Sequence, residues 1–393
     1  MSDFYTQILI ISTFVLVFTL ISKYTKEKLY LPESFVSLIF GVLIGKHFLN
    51  ILKVNPYGLF SVARMILCIQ TMNVALTLPM HYVYHHYKSL SVLILVVGFI
   101  KCIFTFILLL VFKSITYLQC WQLAAALTPT DPILCSSIIK SKLKIPTRLR
   151  LLLLAESGIN DGLGIVLLNI PNNTIFRKFL ANIVYQKIML SITCGIVLGI
   201  LAKSLFKYCY RKALVGMDSF IIHTFLLVLV SIGLMEISSG SEFICIFFCG
   251  IQFSSDEFLS IEYDRNMQDT IDQLISTTFF VIFGSTLDFY FSFKELLVGL
   301  IIICIRRPTI CYLLNGIIND LRNRKESLFI GWFGPVGVGA IYYSMMVDLN
   351  YKDGLYYYTS KIVLLSVCFH GMTILVYKLV KKVTNNRNID FFD

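Results

Sequence analysis

Ala126-Leu127-Thr128-Pro129-Thr130-Asp131-Pro132 interrupts a long apolar run with two prolines and a carboxylate. Each proline removes a backbone N–H, so the carbonyls of Ala125 and Thr128 lose their usual helical partners and the helix is expected to break or unwind. At membrane depth such a break is tolerated only beside protein or a water-filled cavity. The next apolar run carries Glu156-Ser157-Gly158-Ile159-Asn160-Asp161. At helical spacing Glu156 and Asn160 share one face and Ser157 and Asp161 the adjacent one, which makes a single polar stripe. An ionisable group near the bilayer centre costs roughly 2.5–3.5 kcal/mol on insertion scales, so Asp131, Glu156 and Asp161 must face a common interior. Carbonyls, a threonine hydroxyl and carboxylates are hard oxygen ligands for a small cation, and a desolvated carboxylate also accepts a proton. The stretch from Trp121 to Leu168 therefore outlines an ion-for-proton site.

The rest of the chain sets that site in a membrane. Only 15% of the 393 residues are charged and 57% are hydrophobic, against roughly 25% charged in soluble domains, which gives an all-α polytopic membrane protein. The net charge of +11 sits in short loops between apolar runs and reads as topology determinants, not as a nucleic-acid surface. The cysteines form no C-x-x-C pair and behave as small buried hydrophobes. Met1 to Lys23 lacks a basic leader and a small-residue cleavage site, so it reads as a first span.

Apolar segments of spanning length fall near residues 6–23, 31–47, 60–80, 89–112, 118–139, 149–170, 181–206, 217–236, 241–254, 269–288, 293–314, 326–347 and 356–379, about thirteen in all. The segment 241–254 is the weakest because it is short. Lysine and arginine concentrate in alternate loops, which places the N-terminus outside and the C-terminus in the cytoplasm. The sequon at Asn172-Asn173-Thr174 then falls outside. A second irregular helix appears at Gly331-Trp332-Phe333-Gly334-Pro335-Val336-Gly337-Val338-Gly339, too rich in glycine for a continuous helix. The interrupted segments are the fifth and the twelfth, each the middle of a three-helix unit, the pattern of inverted repeats around a midplane site.

The runs Ala126 to Pro132, Leu153-Leu154-Ala155-Glu156-Ser157-Gly158-Ile159-Asn160-Asp161-Gly162, Ile305-Arg306-Arg307-Pro308 and Phe333 to Ile341 resemble the cation/proton antiporter family, most closely its fungal plasma-membrane Na+/H+ antiporter branch. The likeness extends from about Leu31 to Ile374. It implies a homodimer with one membrane domain over 1–380, divided into core helices at about 89–170 and 293–379 and dimerisation or scaffold helices at about 6–80 and 181–288. Within the core it implies two crossed, unwound helices. It also implies elevator-like alternating access, with Na+ (or Li+, K+) and H+ competing at Asp161. Ser157, Asp131 and the backbone near Thr130 would complete the ion shell. Glu156, Asn160 and an arginine, Arg307 before Arg306, would form a buried polar network that joins the core helices. The implied partners are monovalent cations, protons and membrane lipid in the plasma membrane, with no resident cofactor.

Two departures from the family pattern stand out. Fungal relatives usually carry an acid before the Leu-Pro of the third helix, where Val74-Ala75-Leu76-Thr77-Leu78-Pro79 has Thr77. One ligand carboxylate is then missing, and Asn73, one turn earlier, either supplies an oxygen in its place or bonds across helices. Residues 381–393 form a short tail, so control through a long cytoplasmic tail is expected to be absent.

Other polar residues have plainer readings. Asp161 itself has the alternative of a carboxylate paired with a neighbouring cation. His81, His85 and His86 suit a solvated interfacial face, and His370 suits helix packing with a hydrogen bond. Asp256 and Glu257 fit a cation funnel or a solvated loop equally, while Glu236 and Glu242 border an outer loop and need no special role. There is no P-loop, H-E-x-x-H or nucleophile elbow, which leaves ion gradients as the energy source and argues against an enzyme. The rival reading is a transport-inactive or channel-like protein on the same fold.

Overall fold

The computed structural model describes residues 2–52, 54, 56–112, 115–132, 134–135, 145–171, 178, 180–216, 219–255, 265–351 and 354–383. Asn172, Asp256, Glu257 and the tail from residue 384 onward lie outside the described residues. Among those described, every regular element is helical, as lipid demands of chains that must pair their backbone groups internally.

Eight helices are long and apolar enough to cross a membrane, among the described residues. They are Tyr5–Tyr24 within α1 (Ser2–Tyr24), Tyr57–Thr77 within α3 (Pro56–Thr77), α5 (Tyr87–Phe112), α7 (Thr147–Asn169), α8 (Ala181–Arg211), α9 (Ser219–Ser238), α12 (Phe293–Leu313) and Leu355–Tyr377 within α15 (Leu355–Val383). Between them lie α2 (Glu33–Ile44), α4 (Met80–His85), α6 (Tyr117–Ala126), α10 (Glu242–Phe253), α11 (Arg265–Thr286), α13 (Arg324–Trp332) and α14 (Val338–Tyr351).

The short apolar helix α10 occupies the weakest sequence segment, and nearly all of it is buried. It packs against α3, α7, α8 and α9. Gly195 and Gly199 of α8 face the backbone of Cys245 and Cys249 so closely that a Cβ would strike their carbonyls. Helix approach through small residues is the usual solution where lipid removes the hydrophobic drive for packing. Helix α3 is the most connected element around the site, touching α7, α9, α10, α11 and α14.

Helix α6 stops at Ala126, and helical geometry resumes only at Pro132. Helix α13 stops at Trp332 and α14 begins at Val338. Within α12 a wide, π-type turn covers Ile302–Arg306 immediately before Pro308. Pro308 lacks the N–H that the Cys304 carbonyl would accept, and a wide turn is one way to absorb that loss. The turn delivers Arg306 and Arg307, both buried, into the interior.

Candidate functional site

The two helix interruptions meet at Asp131. Its own N–H donates to the Pro335 carbonyl at 2.9 Å. Its Oδ1 accepts the N–H of Leu134 at 3.1 Å, and its Oδ2 accepts the N–H of Val338 at 2.7 Å. Asp131 is thus the N-cap of the segment that begins at Pro132, with proline at the first helical position where its missing donor costs nothing. The same carboxylate caps α14. A negative charge at two helix starts is favoured by both dipoles.

The opposite end of the first interruption is neutralised by cations. Arg306 Nη2 donates to the Leu127 carbonyl at 3.0 Å and its Nη1 to Thr105 Oγ1 at 2.9 Å. Lys101 Nζ donates to the Thr128 carbonyl at 3.1 Å. The carbonyls freed by the prolines are therefore already engaged: Thr128 O by Lys101, and Ala125 O by the N–H of Thr128 at 3.2 Å.

Glu156 is held from several sides. Arg307 Nη2 donates to its Oε2 at 2.6 Å, Asn160 Nδ2 donates to its Oε1 at 3.3 Å, and Lys101 Nζ stands 4.0 Å from Oε1. Asn160 Nδ2 also reaches Thr130 Oγ1 at 3.4 Å. Arg307, not Arg306, is the partner of Glu156. Ser157 donates its hydroxyl to the carbonyl of Leu153 at 3.0 Å.

Asp161 differs from all of these. Its side chain is 1% exposed, and neither carboxylate oxygen has a hydrogen-bond partner among the described residues. Tyr343 donates its hydroxyl to the Asp161 backbone carbonyl, not to the carboxylate. A Cβ placed on Gly339 would lie 3.1 Å from Asp161 Oδ1 and 3.7 Å from Pro129 Cβ, so the carboxylate faces Gly339 in the first turn of α14, with Pro129 of the first interruption also against that glycine. Glycine is required close by for space: a Cβ at Gly334 would collide with the Arg307 guanidinium, and one at Gly337 with the Asp131 carboxylate.

Thr77 turns its hydroxyl to the carbonyl of Val74 in its own helix, at 2.8 Å. Asn73 bonds across helices, its Nδ2 donating to Asp272 Oδ1 at 3.0 Å. His86 Nδ1 meets Asp320 Oδ1 at 2.6 Å, and His81 and His85 stack on an exposed surface. His370 packs as expected, with its ring nitrogens 2.8 Å from the Ser366 carbonyl and 2.9 Å from that of Trp332.

The expectation that Glu242 needs no special role is corrected. It is buried, accepts from Arg64 Nε at 3.0 Å and from the Tyr342 hydroxyl at 3.3 Å, while Arg64 Nη2 reaches Glu236 at 2.6 Å. Burial at the start of α10 is what makes this acid demand partners. Sequence reading also passed over Lys101, although a lone lysine in Gly98-Phe99-Ile100-Lys101-Cys102-Ile103 marks a buried partner by the same rule used for the carboxylates.

Comparison with known proteins identifies the family and the fold. The family model described as "Sodium/hydrogen exchanger, transmembrane" matches residues 14–377. Na(+)/H(+) antiporter 2 of Zygosaccharomyces rouxii is 30% identical over 362 residues, covering 84% of this chain and 44% of that protein. A Na(+)/H(+) antiporter of Schizosaccharomyces pombe is 27% identical, covering 86% of this chain and 78% of its own length. The chain spans 44%, 47% and 37% of three longer fungal relatives. The solved structure of the sodium proton antiporter MjNhaP1 from Methanocaldococcus jannaschii superposes with a TM-score of 0.73 at 19% identity, over 96% of this chain and 99% of that one, a likeness of fold. This polytopic membrane protein belongs to the sodium/hydrogen exchanger family.

Proposed function

We propose that the chain is a secondary active antiporter exchanging a monovalent cation, Na+ first and Li+ or K+ as further candidates, for H+ at Asp161. The observation that carries this reading is the unpartnered, buried Asp161 carboxylate set among other buried acids that are all engaged. A buried charge without a partner is strongly unfavourable. Asp161 is therefore best occupied by either a proton or a cation, and the two exclude each other on one carboxylate. That exclusion is the physical basis of exchange: a carrier whose charged, unoccupied carboxylate is costly reorients mainly when filled.

In this reading Thr130, Ser157, Asn160 and Asp131 are the supporting residues of the ion shell at Asp161. Their present bonds suit different tasks. Asp131 holds the two helix starts; Thr130 and Ser157 retain lone pairs for a cation; Asn160 links the site to Glu156. Glu156, Arg307 and Arg306 serve as the network that keeps the interrupted segments aligned. In this proposal the interrupted segments are the two crossed, unwound helices of inverted repeats. They move elevator-like against a dimerisation domain, in a plasma-membrane homodimer with its N-terminus outside and its C-terminus inside.

The test is cation-induced proton flux in proteoliposomes, with Na+, Li+ and K+ added separately to wild type and to Asp161→Asn. Flux in the wild type and none in the variant is the expected result. Silence of correctly inserted wild type with all three ions over a broad pH range overturns the reading and leaves the transport-inactive alternative.

A further inference from the structure

We propose that Gln70 is a specificity-determining residue of the Asp161 site, its amide oxygen taking part in holding the dehydrated cation. The starting point is a second orphan. Gln70 is 1% exposed, and neither its amide oxygen nor its amide nitrogen has a hydrogen-bond partner among the described residues. Leaving such a group unpaired in an interior costs about 1–3 kcal/mol, so the position calls for a polar occupant.

Register brings the two orphans together. α3 and α7 are packed, and Val74 Cγ1 would lie 2.9 Å from a Cβ on Gly158. Two turns back along α3, Leu67 Cδ2 would lie 4.0 Å from the Gly339 Cβ position that is 3.1 Å from Asp161 Oδ1. Gln70 falls between Leu67 and Val74, three residues after one and four before the other, and so on the helix flank they define. Its long side chain is thereby level with the Gly158-to-Asp161 turn of α7. On its other flank, three residues further along, Asn73 reaches the Asp272 carboxylate of α11 at 3.0 Å. Gln70 thus falls on the flank of α3 between α7, α14 and α11, one turn before Asn73; Thr71 between them spends its hydroxyl on the Leu67 carbonyl of its own helix at 2.8 Å.

The chemistry fits a cation. Asp161 supplies one charge, which neutralises a monovalent ion, and a neutral amide oxygen adds a hard ligand without a second charge. The amide N–H groups remain to orient the oxygen or to hold a water beside it. Small changes in such an oxygen act differently on ions of different radius, so selectivity is where its effect is read.

The proposal rests on the antiport reading, and the experiment separates the two. Wild type, Asp161→Asn, Gln70→Leu and Gln70→Glu are reconstituted, and the half-saturating concentrations of Na+ and Li+ and the maximal rate are measured. Gln70→Leu is expected to raise the half-saturating Na+ concentration about tenfold, to change the Na+/Li+ ratio, and to leave the maximal rate within about twofold. Gln70→Glu, which keeps an oxygen, is expected to retain tight Na+ dependence with an altered Na+/Li+ ratio. An unchanged ratio in Gln70→Leu, or an equal loss for both ions accompanied by a falling maximal rate, overturns the role while wild-type flux and a silent Asp161→Asn leave the antiport reading standing. If Gln70→Leu fails to insert, an unchanged ratio in Gln70→Glu overturns it in the same way. Silent wild type overturns both.

Discussion

Glu156 and Asp161 lie five residues apart on one helix, each 1% exposed, yet their surroundings are opposite. Glu156 is engaged by Arg307 and Asn160, with Lys101 nearby. Asp161 has no partner for either oxygen among the described residues. Equal burial therefore does not mean equal roles. A carboxylate saturated by protein cations stabilises structure and has little capacity left to bind and release. One left without protein partners does the reverse, destabilising the unoccupied state while keeping its full attraction for an ion.

The sharpest break of this contrast is to neutralise each acid in turn. Asp161→Asn is expected to abolish exchange completely while leaving thermal unfolding in detergent unchanged or slightly higher, because it removes an uncompensated buried charge. Glu156→Gln is expected to lower stability by about 3–5 kcal/mol, since Arg307 is then left buried without its counter-charge. Unfolding curves of the two purified variants distinguish them; equal destabilisation would erase the distinction between the two acids. Asp131→Ala comes next. It leaves the N–H groups of Leu134 and Val338 without acceptors, at about 1–3 kcal/mol each, with loss of folded protein on size exclusion after heating. The smallest effect belongs to Tyr342→Phe, which removes one bond to Glu242 at 3.3 Å while Arg64 remains. A change near 1 kcal/mol in unfolding is expected, and a large one would place Glu242 among the dominant structural acids with Glu156.

Much of this arrangement was legible in the residues themselves. Prolines at 129 and 132, and Pro335 flanked by glycines at 334 and 337, mark the two interruptions because clustered lost donors and poor helix formers add up at one place. The acids at 131, 156 and 161 mark an interior because lipid does not. What sequence does not carry is the pairing among them. Nothing local distinguishes Arg306 from Arg307, and it is the wide turn before Pro308 that sends one to Leu127 and the other to Glu156. Asn73 meets Asp272 across 199 residues of chain, and Glu242 meets Arg64 across 178. Such contacts depend on how helices are placed against each other, which periodicity leaves open. The missing acid at Thr77 also reads differently once Asp272, from another helix, stands beside Asn73.

The carboxylate of Asp131 has one more consequence. It bonds at 3.1 Å to a backbone N–H three residues away and at 2.7 Å to another 207 residues away. Two stretches remote in the chain are therefore riveted at a single point by one side chain, and the Asp131 N–H bond to the Pro335 carbonyl adds a backbone-to-backbone link that no side-chain rotation releases. A push on either stretch is passed to the other without slack. In mechanical terms the pair forms one stiff joint, and any displacement of one stretch has to carry the other with it.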